Sequence, residues 1–119
     1  MLGFGAEAAE QLQKARDYYQ KAVKFDPQLA VAQYNLGNIL ARLGSFDEAI
    51  EAYQMAVEAN PNYEDAQVNL SILLTKQRRF AEAIKHLDEA MLLGYTPPQE
   101  YLQTIAPYRD KKVTSSQYQ

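Results

Sequence analysis

Apolar residues recur at helical spacing along most of the chain, and glycine, serine or proline interrupts them at short intervals. Between Ala30 and Tyr63, Leu36 and Leu40 share a face of one run, and Ala49, Tyr53 and Ala56 share a face of the next. Leu43-Gly44-Ser45 separates the two runs, so the pattern predicts a helical hairpin. Ala49 and Ala56 are small enough for a neighbouring helix to approach closely, while Tyr53 fills the space between them. The hairpin recurs. Pro27 and Pro61 are 34 residues apart, and the same offset carries Gln33, Asn35 and Leu36 onto Gln67, Asn69 and Leu70. Phe46-Asp47-Glu48-Ala49-Ile50 returns as Phe80-Ala81-Glu82-Ala83-Ile84, Ala56 as Ala90 and Tyr53 as Leu87. Counted backwards, Ala49, Tyr53 and Ala56 fall on Ala15, Tyr19 and Ala22. Pro27 and Pro61, preceded by Asp26 and Asn60, end each second helix and set up the next first one.

The ends depart from the pattern. Residues 6–25 contain no glycine or proline, which predicts one continuous helix supplying only the second half of a first repeat. Its face of Leu12, Ala15, Tyr19 and Ala22 then lacks a partner helix, which invites self-association or implies a missing upstream segment. Full repeats occupy 30–63 and 64–97. Met91-Leu92-Leu93 is more apolar than the matching Val57-Glu58-Ala59 and calls for a cover. Residues 98–108 can provide one, since Tyr101, Leu102, Ile105 and Tyr108 lie at helical spacing behind Pro98. Residues 109–119 are polar and are expected to be disordered.

With these motifs in place the chain resembles the tetratricopeptide repeat family, in its small bacterial type. Residues 30–63 carry Tyr34-Asn35-Leu36-Gly37-Asn38, Gly44, Phe46, Ala49, Tyr53, Ala56 and Pro61, with Leu40 in place of an aromatic and Gln33 in place of tryptophan. The second repeat diverges further: Ser71 stands at a glycine position, Arg78 at the turn glycine and Tyr95 at the closing proline. The resemblance implies an all-α helical-hairpin solenoid, a right-handed superhelix with a C-terminal capping helix, in a single domain over 1–108. It also implies a protein-protein interaction function, with first-helix side chains lining a concave groove. Carried over by position, the peptide-binding residues are Val31, Tyr34, Asn35, Asn38 and Arg42, then Asp65, Val68, Asn69, Ile72 and Lys76. Asn35 and Asn69 can bond the backbone of an extended peptide through their carboxamides, or instead bond within and between helices. Tyr34 can stack on a ligand or bridge two repeats. Arg42 and Lys76 suit an acidic segment. Some family members hold the acidic tail of a chaperone with two cations where this chain has Asp65 and Asn69, which argues against that ligand.

Composition excludes more than it adds. With 119 residues and a net charge of −3, the chain lacks the basic field that nucleic acid requires. It has no cysteine and a single histidine, so neither a thiolate nor a histidine metal site is expected, and no cofactor is implied. No apolar run approaches a membrane span and no signal peptide precedes the repeats, which predicts a cytoplasmic protein if Met1 is its natural start. His86 lacks an orienting partner and a nucleophile nearby and reads as a structural histidine. The acids at 47, 48 and 51, or at 64 and 65, favour helix N-termini more than a catalytic pair. Gly3-Phe4-Gly5 is no phosphate loop, and Lys76, Arg78 and Arg79 form a solvated patch. The reading is a non-catalytic interaction module that binds a protein or extended peptide. The alternative is a structural scaffold, oligomerisation or assembly factor working through its terminal helix faces, with homo-oligomers formed by the N-terminal one.

Overall fold

The structure, a computed structural model, describes the backbone of residues 2–117 and the side chains of residues 5–109. Among the described residues there are six helices and no strand: α1 (Leu2–Phe25), α2 (Ala30–Arg42), α3 (Phe46–Ala59), α4 (Glu64–Lys76), α5 (Phe80–Leu92) and α6 (Gln99–Gln117). The first helix opens at Leu2 rather than at residue 6, with Gly3 and Gly5 near its start, where an end that frays anyway tolerates them. At the other end, α6 runs on to Gln117, so the segment expected to be disordered from 109 is helical to that point, and residues 118 and 119 lie outside the described residues. No glycine or proline follows Pro107 to stop it. The helices fall into two compact units, Met1–Ala66 and Gln67–Gln119, with the boundary inside α4.

In the first unit α2 packs on both α1 and α3. Leu36, Leu40, Ala49, Ile50, Tyr53 and Ala56 form its buried centre. Helices α2 and α3 approach tightly at Gly37, where a Cβ would lie 2.6 Å from the Tyr53 ring. Tyr53 donates its hydroxyl proton to Oδ1 of Asn38 one residue further on, tying the same two helices together. Buried Gln33 donates from Nε2 to the Pro27 carbonyl at 3.2 Å, anchoring α2 to the turn before it. The α1 residues Ala15, Tyr19 and Ala22 are only half-buried, whereas their counterparts Ala49, Tyr53 and Ala56 are 0%, 3% and 0% exposed.

In the second unit Leu70, Leu73, Leu74, Ala83, Ile84, Leu87 and Ala90 are buried. Helix α6 docks on α5 through Ile105, which sits with Ile84 and Leu87 and is flanked by Tyr95, Tyr101, Leu102 and Tyr108. The Tyr108 ring stacks on Phe80 with centroids 3.7 Å apart. Arg109 reaches back to Asp88 in a two-pronged ion pair at 2.6 and 3.2 Å. These contacts make α6 a cover for α5 at Ile84 and Leu87, but Met91 and Leu92, whose apolar character called for one, stay 42% and 82% exposed.

Three helix ends share one construction. Ser45 N–H donates to the Leu40 carbonyl, Arg79 N–H to that of Leu74 and Tyr95 N–H to that of Ala90, each spanning five residues, and each is nested around a shorter bond. This is the Schellman termination, which needs a left-handed residue just past the helix. Gly44, Arg78 and Gly94 occupy those positions, with φ of 81°, 61° and 111°. Helices α1 and α3 instead end in Asp26-Pro27 and Asn60-Pro61 turns, where each Asx side chain accepts from the N–H two residues on. The second full repeat lacks the proline, and Gly94 ends α5 instead.

Arginine in the left-handed region costs about 1 kcal/mol more than glycine there. Its guanidinium recovers part of that by lying 5.3 Å from the Phe80 ring centre, a contact worth about 0.5 kcal/mol when exposed. Arg78→Gly is therefore expected to stabilise the protein by about 0.5 kcal/mol. A rise in the urea midpoint at unchanged slope would show it, and an unchanged or lower midpoint would sink the idea.

Candidate functional site

Four of the candidate residues on α2 are spaced by four, three and four positions, which aligns Val31, Asn35, Asn38 and Arg42 along one stripe of the helix. Val31 is 60% exposed, a large apolar side chain turned to solvent. Arg42 is exposed and forms no ion pair with any described residue. The carboxamide of Asn35 is half-buried and hydrogen-bonds to no described residue. Asn38 differs, because it receives the Tyr53 hydroxyl and so serves the α2–α3 packing. Tyr34 is also tied into the fold: its ring centre lies 5.0 Å from that of Tyr63 and 6.1 Å from that of Tyr53. Burial, then the neighbouring Tyr34 and Asp65, raise the Tyr63 pKa and keep its hydroxyl protonated.

On α4 the same spacing sets Asp65, Asn69, Ile72 and Lys76 on one stripe, with Val68 beside it. Asp65 and Lys76 are exposed, while Val68, Asn69 and Ile72 are half-buried. Asn69 is engaged by the protein's own groups, and Asn35 is not. Two of the set, Ile72 and Lys76, line an open cavity of about 340 Å³. The rest of its lining is Thr75, Tyr95, Pro98, Glu100, Tyr101 and Thr104. Most of these residues escaped the sequence reading because α6 was seen only as a cover. The available signal was Tyr95, a large aromatic where the repeat pattern wants proline.

His86 on α5 is half-buried, and its Nδ1 lies 2.8 Å from Oε1 of buried Gln67 on α4. The carboxamide oxygen accepts, so Nδ1 carries the proton of the neutral ring. Burial, and next the charge of Lys85, lower its pKa from the ordinary 6.5, while Glu82 and Glu89 oppose this weakly. The unfolded chain therefore binds a proton that the folded chain resists. Stability from this group is complete above pH 6.5 and declines as the pH falls from there toward the lower folded value. Between about pH 7.5 and about pH 5.5 the wild type should lose more thermal stability than His86→Gln. Equal losses would mean that other groups carry the whole dependence.

No described helix is long and apolar enough to cross a membrane. Among the described residues no group of three or more His, Cys, Asp or Glu side chains could hold a metal ion.

Three family models match the chain: a tetratricopeptide repeat over residues 30–63, a TPR repeat over 8–44 and a tetratricopeptide repeat over 65–93. The second of these begins in α1 and ends just beyond α2, so the N-terminal helix matches the family as well. No curated protein sequence matches the chain. Among solved structures, a crystal structure of MamA superposes with a TM-score of 0.67 at 27% identity, over 77% of this chain and 54% of that one. Another crystal structure of the MamA protein gives 0.64 at 27% identity, over 77% and 50%. A MamA RS-1 double mutant gives 0.67 at 25% identity, over 70% and 47%. The chain thus spans about half the length of these structures. All-α hairpins repeating every 34 residues, and family matches that run from residue 8 to residue 93, lead to one assignment: the chain belongs to the tetratricopeptide repeat family, whose repeats mediate protein-protein interaction.

Proposed function

We propose that the chain is a non-catalytic module that binds a protein or an extended peptide on the exposed faces of its first helices. The observation that carries this reading is the α2 stripe. Asn35 presents a donor and an acceptor that no described residue uses, between solvent-exposed Val31 and unpaired Arg42. A carboxamide held on a rigid helix can bond the backbone of an extended segment without loss of much conformational entropy. Val31 adds apolar contact and Arg42 attracts acid. Asn69, Ile72 and Lys76 give α4 a corresponding stripe. Tyr34 and Asn38 support the α2 stripe from within the fold.

Burial favours a second reading as well. The half-buried Ala15, Tyr19 and Ala22 face, together with Tyr18 at 68% and Phe25 at 90% exposure, leaves α1 with apolar surface that an assembly contact would cover.

One experiment separates the two. Wild type and an Asn35→Ala, Asn69→Ala variant, shown by circular dichroism to be equally helical, are used as bait in lysate of the source organism, and captured proteins are identified by mass spectrometry. The first reading expects a partner held by the wild type and lost by the variant. Identical capture by both, or recovery mainly of further copies of the chain, would remove it and leave the α1 face as the working surface.

A further inference from the structure

The cavity in residues 67–119 has a chemistry that narrows what enters it. Its walls include Ile72, Tyr95, Pro98 and Tyr101, which are apolar or aromatic. Thr75 donates its hydroxyl proton to the Ser71 carbonyl at 2.9 Å. Its oxygen lies 2.9 Å from the Tyr101 hydroxyl, so the tyrosine must be the donor of that pair. Thr104 likewise donates to the Glu100 carbonyl. Three hydroxyl protons around the cavity are thus spent inside the protein, and a polar occupant that needs donors gains nothing from them. The mouth is different. Lys76 and Glu100 both line it, both are exposed, and neither forms an ion pair with the other or with any described residue. At about 340 Å³ the space lies near the lower end of ligand sites, which run from about 300 to about 1,000 Å³. A space of that size has room for a large aromatic or branched side chain.

We propose that this cavity receives a large apolar side chain from an extended segment of a partner protein, with an acidic residue of the segment meeting Lys76 and a basic one meeting Glu100. The proposal rests on the interaction-module reading and supplies the recognition chemistry that the α2 and α4 stripes leave open. The anchor gives affinity, because a large side chain that leaves water for apolar walls dominates the energy of small interfaces. The two rim charges set which segments are accepted, since a wrong charge beside either is repelled.

The test uses the full chain and three blocked peptides: acetyl-Asp-Gly-Phe-Gly-Lys-amide, the same with alanine for phenylalanine, and the same with glutamine for both charged residues. Binding is followed through the NMR signals of the Ile72, Thr75 and Thr104 methyl groups. The phenylalanine peptide should shift these signals to saturation, the alanine peptide should bind at least about tenfold more weakly, and the uncharged peptide about threefold more weakly. Thr104→Trp, which fills the cavity from an exposed position on α6, should abolish the Ile72 and Thr75 shifts while leaving the circular dichroism unchanged. The proposal is overturned if phenylalanine and alanine peptides bind alike, if Thr104→Trp binds normally, or if free phenylalanine saturates the same signals as tightly as the peptide. Should the cavity fail while Asn35→Ala, Asn69→Ala still loses its captured partner, the interaction module stands and only this pocket is lost.

Discussion

Gly37→Ala is expected to destabilise the protein by about 2 kcal/mol, although alanine is the better helix former. The new methyl carbon would sit 2.6 Å from two ring carbons of Tyr53, closer than real contacts allow. Tyr53 cannot move away cheaply, because it is 3% exposed and its hydroxyl is held by Asn38. Overpacking of this kind costs about 1 to 3 kcal/mol and the upper figure suits so short an approach, while the better helix propensity returns about 1 kcal/mol. The second repeat shows how the constraint is relieved. There the glycine position holds Ser71, the tyrosine position holds Leu87 and the asparagine position holds Ile72. A side chain has appeared on α4 where its opposite number on α5 has lost a ring, and the polar pair that joined the helices has become an apolar one. The three positions behave as one unit. Gly37→Ala combined with Tyr53→Leu and Asn38→Ile should accordingly cost less than the sum of the separate changes by at least about 1 kcal/mol, measured by urea unfolding. A neutral Gly37→Ala, or strict additivity, would show that the close approach is not what fixes glycine there.

The same comparison between repeats explains what could be read from the residues and what could not. An offset of 34 locates hairpins, because helix packing demands small, apolar and aromatic groups at set positions and those demands leave a visible pattern. The exact device at a turn escapes that logic. Arg78 and Tyr95 looked like losses of turn chemistry, yet Arg78 adopts the left-handed conformation itself, and Gly94, one residue before Tyr95, ends α5 by the route that Gly44 uses for α2. Candidate site residues were legible only as a face. The family resemblance implied that Asn35 and Asn38 share the groove face of α2, but the Tyr53 hydroxyl commits Asn38 to packing and leaves Asn35 unclaimed, a distinction of a few ångströms across the hairpin. The cavity beside Ile72 was less legible still, since its walls come from α4, the stretch after α5 and α6, which share no repeat offset.

Helix α6 provides the other large effect. Ile105→Ala is expected to cost about 3 kcal/mol, because it removes three carbons from a site that is 1% exposed and surrounded by Ile84, Leu87 and four half-buried side chains that cannot collapse fully into the gap. Arg109→Ala should cost less than about 1 kcal/mol. Its ion pair with Asp88 has good geometry, but the two side chains are 35% and 47% exposed, so water already solvates much of the charge. The comparison decides how the last hairpin is covered. If apolar burial docks α6, Ile105→Ala should open the segment after Pro98 to protease at concentrations that spare both the wild type and Arg109→Ala. If instead the ion pair holds the helix, the two variants exchange places, and salt should mimic Arg109→Ala by screening the pair. The result bears on binding too, because Tyr101 and Thr104 reach the cavity from α6. A cover that is firmly docked keeps that cavity formed before any partner arrives, and a partner then spends none of its affinity on ordering the helix.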